Sequence, residues 1–224
     1  MTQIASTQES STHVSTTPAR ARTDVGAPVS AAGGPSTATV RRLALGLSAG
    51  AFTWAVGSFA YGFAPTNETG VKISDLTGLA FQLGLWSLLT LQRRTRATGV
   101  TRAARAMFLV EHVLLTLAMA WTLVHALVPA ARGTLWLGVL DLFWPLSMMG
   151  MFVIGVKIAL AGRWRGAARV WPLVAESWVV VTLPVLAVFG HQAGDLVGSS
   201  HLLVGYTTLG LLVAARPALV LDRG

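Results

Sequence analysis

The sequence predicts an all-α fold: a polytopic membrane bundle of six transmembrane helices, with the N-terminus and C-terminus both cytoplasmic. Three observations carry this. Of 224 residues, 53% are hydrophobic and only 12% charged, whereas a soluble domain carries about a quarter charged residues. From Arg41 onward, apolar segments recur at the roughly 17–25 residues that cross a hydrocarbon core as helix. The cations cluster between those segments rather than within them. With no cysteine, disulfides, thiolate metal sites and iron–sulfur clusters are excluded.

Residues 1–40 are rich in Ser, Thr, Ala and Pro and lack apolar periodicity. They cannot bury enough surface to offset their ordering entropy, which predicts a disordered cytoplasmic tail. They also lack the apolar h-region of a signal peptide.

The transmembrane domain is expected over 41–217, with a short tail at 218–224. The predicted spans lie near 41–63, 73–92, 106–130, 135–161, 171–190 and 201–216. In the first, Gly46 and Gly50 form a GxxxG suited to close helix approach. Between the fifth and sixth, HQAGDLVGSSH reads as a loop flanked by His191 and His201.

Orientation follows from the loops. Arg41, Arg42, Arg93, Arg94, Arg96, Arg102, Arg105, Arg163, Arg165, Arg169 and Arg216 fall on one side, and only Lys72 and Arg132 on the other. The positive-inside pattern makes the first side cytoplasmic. No basic face interleaved with stacking aromatics is present, so the +8 charge points away from nucleic acid and toward the lipid bilayer as partner. Arginine preferred over lysine suits a GC-rich genome, and the inner (plasma) membrane of a bacterium is the expected location. The segments AARAMFLVEH and AARVWPLVAES, entering the third and fifth spans, form a faint internal repeat.

Ionisable groups inside a span cost about 2.5–3.5 kcal/mol on insertion scales and face the bundle interior. Glu111, Lys157 and Glu176 lie a turn or two from cytoplasmic ends, with His112 beside Glu111. Asp75, His125, Asp141, His191, Asp195 and His201 lie toward the outer side. In the third span Glu111, Ala118, Thr122 and His125 share a narrow arc at helical spacing, with the carboxylate and imidazole about 21 Å apart. Asp141 stands near Trp144 and Pro145, and the proline frees a carbonyl and kinks the helix there.

Asp141, Glu111 and Glu176 are therefore the candidate catalytic acids. Trp144, Thr122, His125, Trp121 and Trp178 are the candidate walls of a ligand cavity, where ring faces suit a cationic, carbocationic or flat apolar species. The plain alternative for Glu111 and Glu176 is interfacial snorkelling at a helix start. Trp136, Trp164 and Trp171 read as an interfacial belt. His125, His191 and His201 invite a metal or haem reading, but without a tight spacing they define no metal site, and the cofactor is left unknown.

The leading expectation is an intramembrane enzyme doing acid–base chemistry on an isoprenoid or other lipid-like substrate. A proton-linked small-molecule transporter is the alternative. Six spans are few for a monomeric carrier, so this version works as a homo-oligomer. A partner or sensor subunit acting through its tail is the third.

Overall fold

The computed structural model describes residues 34–221, and all of the described elements are helical. The expected disorder of the tail falls almost wholly outside these residues. Its inner boundary moves, because the first helix begins at Thr37, ahead of Arg41. Helix α1 (Thr37–Tyr61) is capped by Ser36, whose hydroxyl accepts from the Thr39 amide at 3.2 Å. Helix α2 (Glu68–Arg94) is capped by Asn67, accepting from Gly70 at 2.7 Å, and ends on Arg93 and Arg94 at the negative end of its dipole. Helix α3 (Arg102–Leu127) is capped by Thr101.

The remaining spans are broken. Helices α4 (Leu135–Asp141) and α5 (Phe143–Ala161) form one path interrupted at Leu142, two residues before Trp144 and three before Pro145. Helices α6 (Ala167–Glu176) and α7 (Trp178–Phe189) are interrupted at Ser177, whose hydroxyl donates to the Val174 carbonyl at 2.8 Å and competes with the helical ladder. Helix α8 (His191–His201) passes through a π-helical segment (Leu202–Thr207) into α9 (Thr208–Ala215). The chain therefore traverses the bundle six times, and its arginine-rich connections gather at one end.

Five of these paths are long and apolar enough to cross a membrane: Thr37–Tyr61, Arg102–Leu127, Leu135–Ala161, Ala167–Phe189 and His191–Ala215. The sixth path, α2, crosses the bundle as expected but is less apolar than the others. That helix has 27 residues but is diluted by Lys72, Ser74, Asp75, Gln82 and Gln92. Several of those polar groups turn inward: Ser74, Gln82 and Gln92 are buried. A helix whose polar face is covered by its neighbours need not be uniformly apolar.

One correction concerns 191–201, expected as a loop and found as helix α8, the first half of the last span. Its small residues hide a helix from hydropathy but let it sit close: Gly194 lies against Leu186, and Gly198 against Phe63 and Thr182.

The core runs along the bundle through Leu47, Phe81, Leu85, Leu88, Met148, Met151, Ile154 and Leu209. Helix α1 is gripped on two sides. Gly50 meets the Ala80 carbonyl of α2, and Gly210 of α9 meets the Ala44 carbonyl. The outer face stays apolar, with Leu109, Leu135, Leu160, Val188 and Phe189 at 68–85% exposure. A surface of that kind needs lipid around it. The chain is thus an all-α, multi-pass membrane bundle. The short tail predicted from 218 partly joins it: Val220 is buried, and Arg165 hydrogen-bonds Leu221 and Ala218.

Candidate functional site

Two polar centres lie inside the bundle, one toward each end. The larger is a cavity of about 230 Å³ between α1, α2, α3, α5, α7 and α8. Its walls are largely aromatic, with Trp54, Phe63, Trp121, Trp144 and Trp178 around it. Trp54 is the hub. Its ring lies 5.0 Å from Phe63, 5.6 Å from Trp144 and 5.4 Å from Trp178, and stacks on Phe81 at 4.9 Å.

These rings are fixed by hydrogen bonds at their edges. Trp178 Nε1 donates to the Gly198 carbonyl at 3.0 Å, and Asp195 accepts from the Phe63 amide at 3.0 Å, which seats Phe63 in the wall. Polar groups complete the lining. Gln82 Nε2 donates to Thr122 Oγ1 at 2.9 Å, and Thr122 donates on to the Ala118 carbonyl. Gln82 Oε1 and Thr182 Oγ1 are buried with no hydrogen-bond partner. Among the described residues, Asp75 is the single ionisable one on the wall. His125 Nδ1 pairs with Asp75 Oδ2 at 2.7 Å, and Trp121 stacks on the imidazole at 4.9 Å.

The second centre is built on α5. Glu111 of α3 is buried, and its Oε1 accepts from Ser147 Oγ at 2.5 Å. The carboxylate lies in the notch left by Gly150. Glu176 at the end of α6 is fully buried. Its Oε1 accepts from Gln92 Nε2 at 2.8 Å, and its Oε2 rests against Gly155 with no hydrogen-bond partner. Both acids thus enter glycine notches on one helix, and neither has an ion-pair partner among the described residues. The Tyr206 hydroxyl, also fully buried and unpartnered, lies within electrostatic reach of both. Phe81 separates the two centres, stacked on Trp54 on one side and edge-on to Tyr206 at 4.9 Å on the other.

Tyr206 comes inward because the π-helical segment widens the turn that carries it. Trp171 Nε1 donates to the carbonyls of Val204 and Gly205 in that turn, at 3.2 Å each.

The residues anticipated from sequence divide accordingly. Trp121, Thr122, Trp144 and Trp178 line the cavity, and His125 stands one layer behind, holding Asp75. Glu111 and Glu176 enter α5 at Gly150 and Gly155 and do not line the cavity. Asp141 stands apart: it is exposed at the α4–α5 break and does not line the cavity. The proline ring at 145 does border the cavity, so the kink shapes the wall while the acid before it points elsewhere.

Trp164 is corrected from the interfacial belt to the interior. It is fully buried and donates to Thr95 Oγ1 at 2.9 Å, because the 162–166 turn folds back over α2. His201 bonds Ser177 rather than a second ligand group, and among the described residues no three of His, Asp and Glu are grouped to hold a metal.

Sequence reasoning missed Phe63 as a wall, and Gln82, Gln92, Ser147 and Tyr206 as polar partners. A usable signal existed for the amides. A glutamine in a membrane span is nearly as demanding of a partner as an acid, and Gln82 and Gln92 both occur in α2.

Fold and site together define a multi-pass helical membrane protein with an aromatic chamber and a separate buried acid pair. Comparison with protein-family models, curated proteins and solved structures finds no match.

Proposed function

We propose that the protein is a proton-linked carrier: the chamber holds a small solute, and Glu111 and Glu176 handle the coupled proton. One observation supports this above others. The two acids are buried without a cation and stand one aromatic layer away from the chamber. Intramembrane acids in that state mark proton or ion paths. Acids that catalyse a reaction must instead reach the reacting atoms. An enzyme acting on an isoprenoid or lipid would need Asp141, Glu111 or Glu176 against the substrate, and none of them borders the chamber.

Broken paths favour movement. Leu142 and Ser177 interrupt the two spans that carry Trp144 and Trp178, so the chamber walls are hung on the broken segments. The arginine-rich end is proposed to face the cytoplasm of a bacterial cell, with the chamber toward the outer side. A homo-oligomer suits so small a carrier.

The test uses purified protein in liposomes loaded with a pH-reporting dye. A panel of small amines, acids and neutral solutes is added outside. At least one solute is expected to move protons, and Glu111→Gln or Glu176→Gln to abolish that movement while solute binding persists. Solute uptake indifferent to a pH gradient, or unchanged in both variants, would sink the proposal. Removal of residues 1–33 should leave the flux intact; its loss would favour the partner-subunit reading.

A further inference from the structure

We infer that the chamber selects an organic monocation with a compact alkylammonium head, an assignment that rests on reading the chamber as the solute site of a carrier. Four features of the wall converge on that charge. Five aromatic rings line a space of about 230 Å³, and ring faces, the electron-rich surfaces, attract an ammonium group most strongly where water is excluded. Among the described residues the single ionisable one on the wall is a carboxylate, Asp75, with no Lys, Arg or His beside it on the lining.

The unmatched polar atoms can both accept: a carboxamide oxygen only accepts, and a threonine hydroxyl accepts as well as donates. Gln82 has committed its Nε2 to Thr122 and leaves Oε1 unpartnered, and Thr182 Oγ1 is unpartnered as well. A neutral hydrocarbon would strand all of these groups, which costs affinity for each one. The charges at this end of the bundle agree. Glu68, Asp75, Asp141 and Asp195 stand there with Lys72 and Arg132. Arg132 is committed to Glu68 at 2.7 Å and to the His125 carbonyl at 2.8 Å, and Lys72 pairs with Glu68 at 3.2 Å. The cations nearest the chamber are thus occupied with one another's acid, and Asp75 is left facing the rings.

The His125–Asp75 pair makes Asp75 a directed acceptor rather than a floating charge. One oxygen is fixed by the imidazole, and the other takes no hydrogen bond among the described residues. An alkylammonium head enclosed by Trp54, Trp144 and Trp178 would place its positive carbon shell against the rings and its charge near that oxygen. The volume suits a head group of four small substituents and excludes an enclosed polyprenyl chain.

The test is direct binding to the full-length protein in mild detergent, read by calorimetry and by tryptophan fluorescence. Choline is compared with its uncharged carbon isostere, dimethylbutanol. Choline should bind saturably and at least about tenfold more tightly than the isostere. Asp75→Asn should weaken choline by about tenfold and leave the isostere unchanged, since the lost term is charge. Trp144→Leu should weaken choline in the same sense. Trp86→Phe, at a ring turned outward against His112, should leave binding intact and shows that fluorescence changes come from the chamber.

Equal affinity for choline and the isostere, or no saturable choline binding by folded protein, would overturn the assignment. Choline binding that survives Glu111→Gln together with Glu176→Gln, but never moves protons, would instead sink the carrier reading and leave the cation chamber standing.

Discussion

Replacing Gln92 by leucine isolates the support of the buried acid at the second centre. Gln92 is fully buried, its Nε2 donates to Glu176 Oε1 at 2.8 Å, and Glu176 Oε2 already lacks a partner. Leucine is close enough in volume that the cavity contribution is small, so the cost is polar. An interhelical hydrogen bond inside a membrane averages about 0.6 kcal/mol and reaches about 1.7 kcal/mol. A buried acceptor stripped of its donor loses about 1–3 kcal/mol.

Glu176 is wholly enclosed, so the upper part of the first range and the middle of the second apply. We expect about 2 kcal/mol, roughly a 30-fold shift of the unfolding equilibrium. The assay is reversible unfolding in mixed micelles with rising SDS, followed by circular dichroism. Glu176→Leu should cost a similar amount, because it strands Nε2 of Gln92. The double variant should be less damaging than the sum by about 1–2 kcal/mol. A neutral Gln92→Leu with strictly additive behaviour would refute the claim that these two residues support each other.

Other consequences can be checked on the same preparation. Gly150→Ala puts a methyl group onto the Glu111 carboxylate and should cost about 1–3 kcal/mol in thermal unfolding. Gly138→Ala, which meets nothing, should be neutral or slightly stabilising. Trp164→Phe removes the bond to Thr95 and should lower stability by about 1 kcal/mol, read as a reduced Tm. Glu68 is held below the usual carboxylate range first by its hydrogen bond from Arg132 and then by Lys72. Its contribution is therefore complete above the unfolded value of about 4.3 and is lost as pH falls through the lower folded value. The effect is small because the group is exposed. Tm should decline below that point in the parent and decline less in Glu68→Gln; identical profiles would show that the pair contributes nothing.

Much of the architecture was legible in hydropathy and loop charge, because both report directly on what lipid and water tolerate. Four of the five anticipated chamber residues, Trp121, Thr122, Trp144 and Trp178, line it. A tryptophan or threonine deep in a span has few other uses, and all four lie on spans that border the cavity. Hydropathy failed where packing substitutes for it. Helix α8, expected as a loop, trades apolar side chains for close approach through Gly194 and Gly198. Asp141 misled because its neighbours along the chain, Trp144 and Pro145, do border the chamber while the break at Leu142 turns the acid outward. Tyr206 was invisible for a different reason. Its inward position depends on a local change of helical pitch, which no 3.6-residue periodicity can anticipate.

That change of pitch has a consequence for how the last span can vary. A π-helical turn holds one residue more than the α-helix around it, so loss of a single residue within 202–207 lets the turn relax to ordinary pitch. The flanking halves, α8 against α7 and α9 against α1, then keep their registers. Elsewhere in a span the same deletion turns every later side chain by about 100°. Here the bundle keeps its shape, while the Tyr206 hydroxyl swings away from Glu111 and Glu176 and Trp171 loses the carbonyls it holds. The span thus contains a position where assembly and chemistry come apart, at which a lineage could silence the acid pair in one step and still make an intact membrane protein.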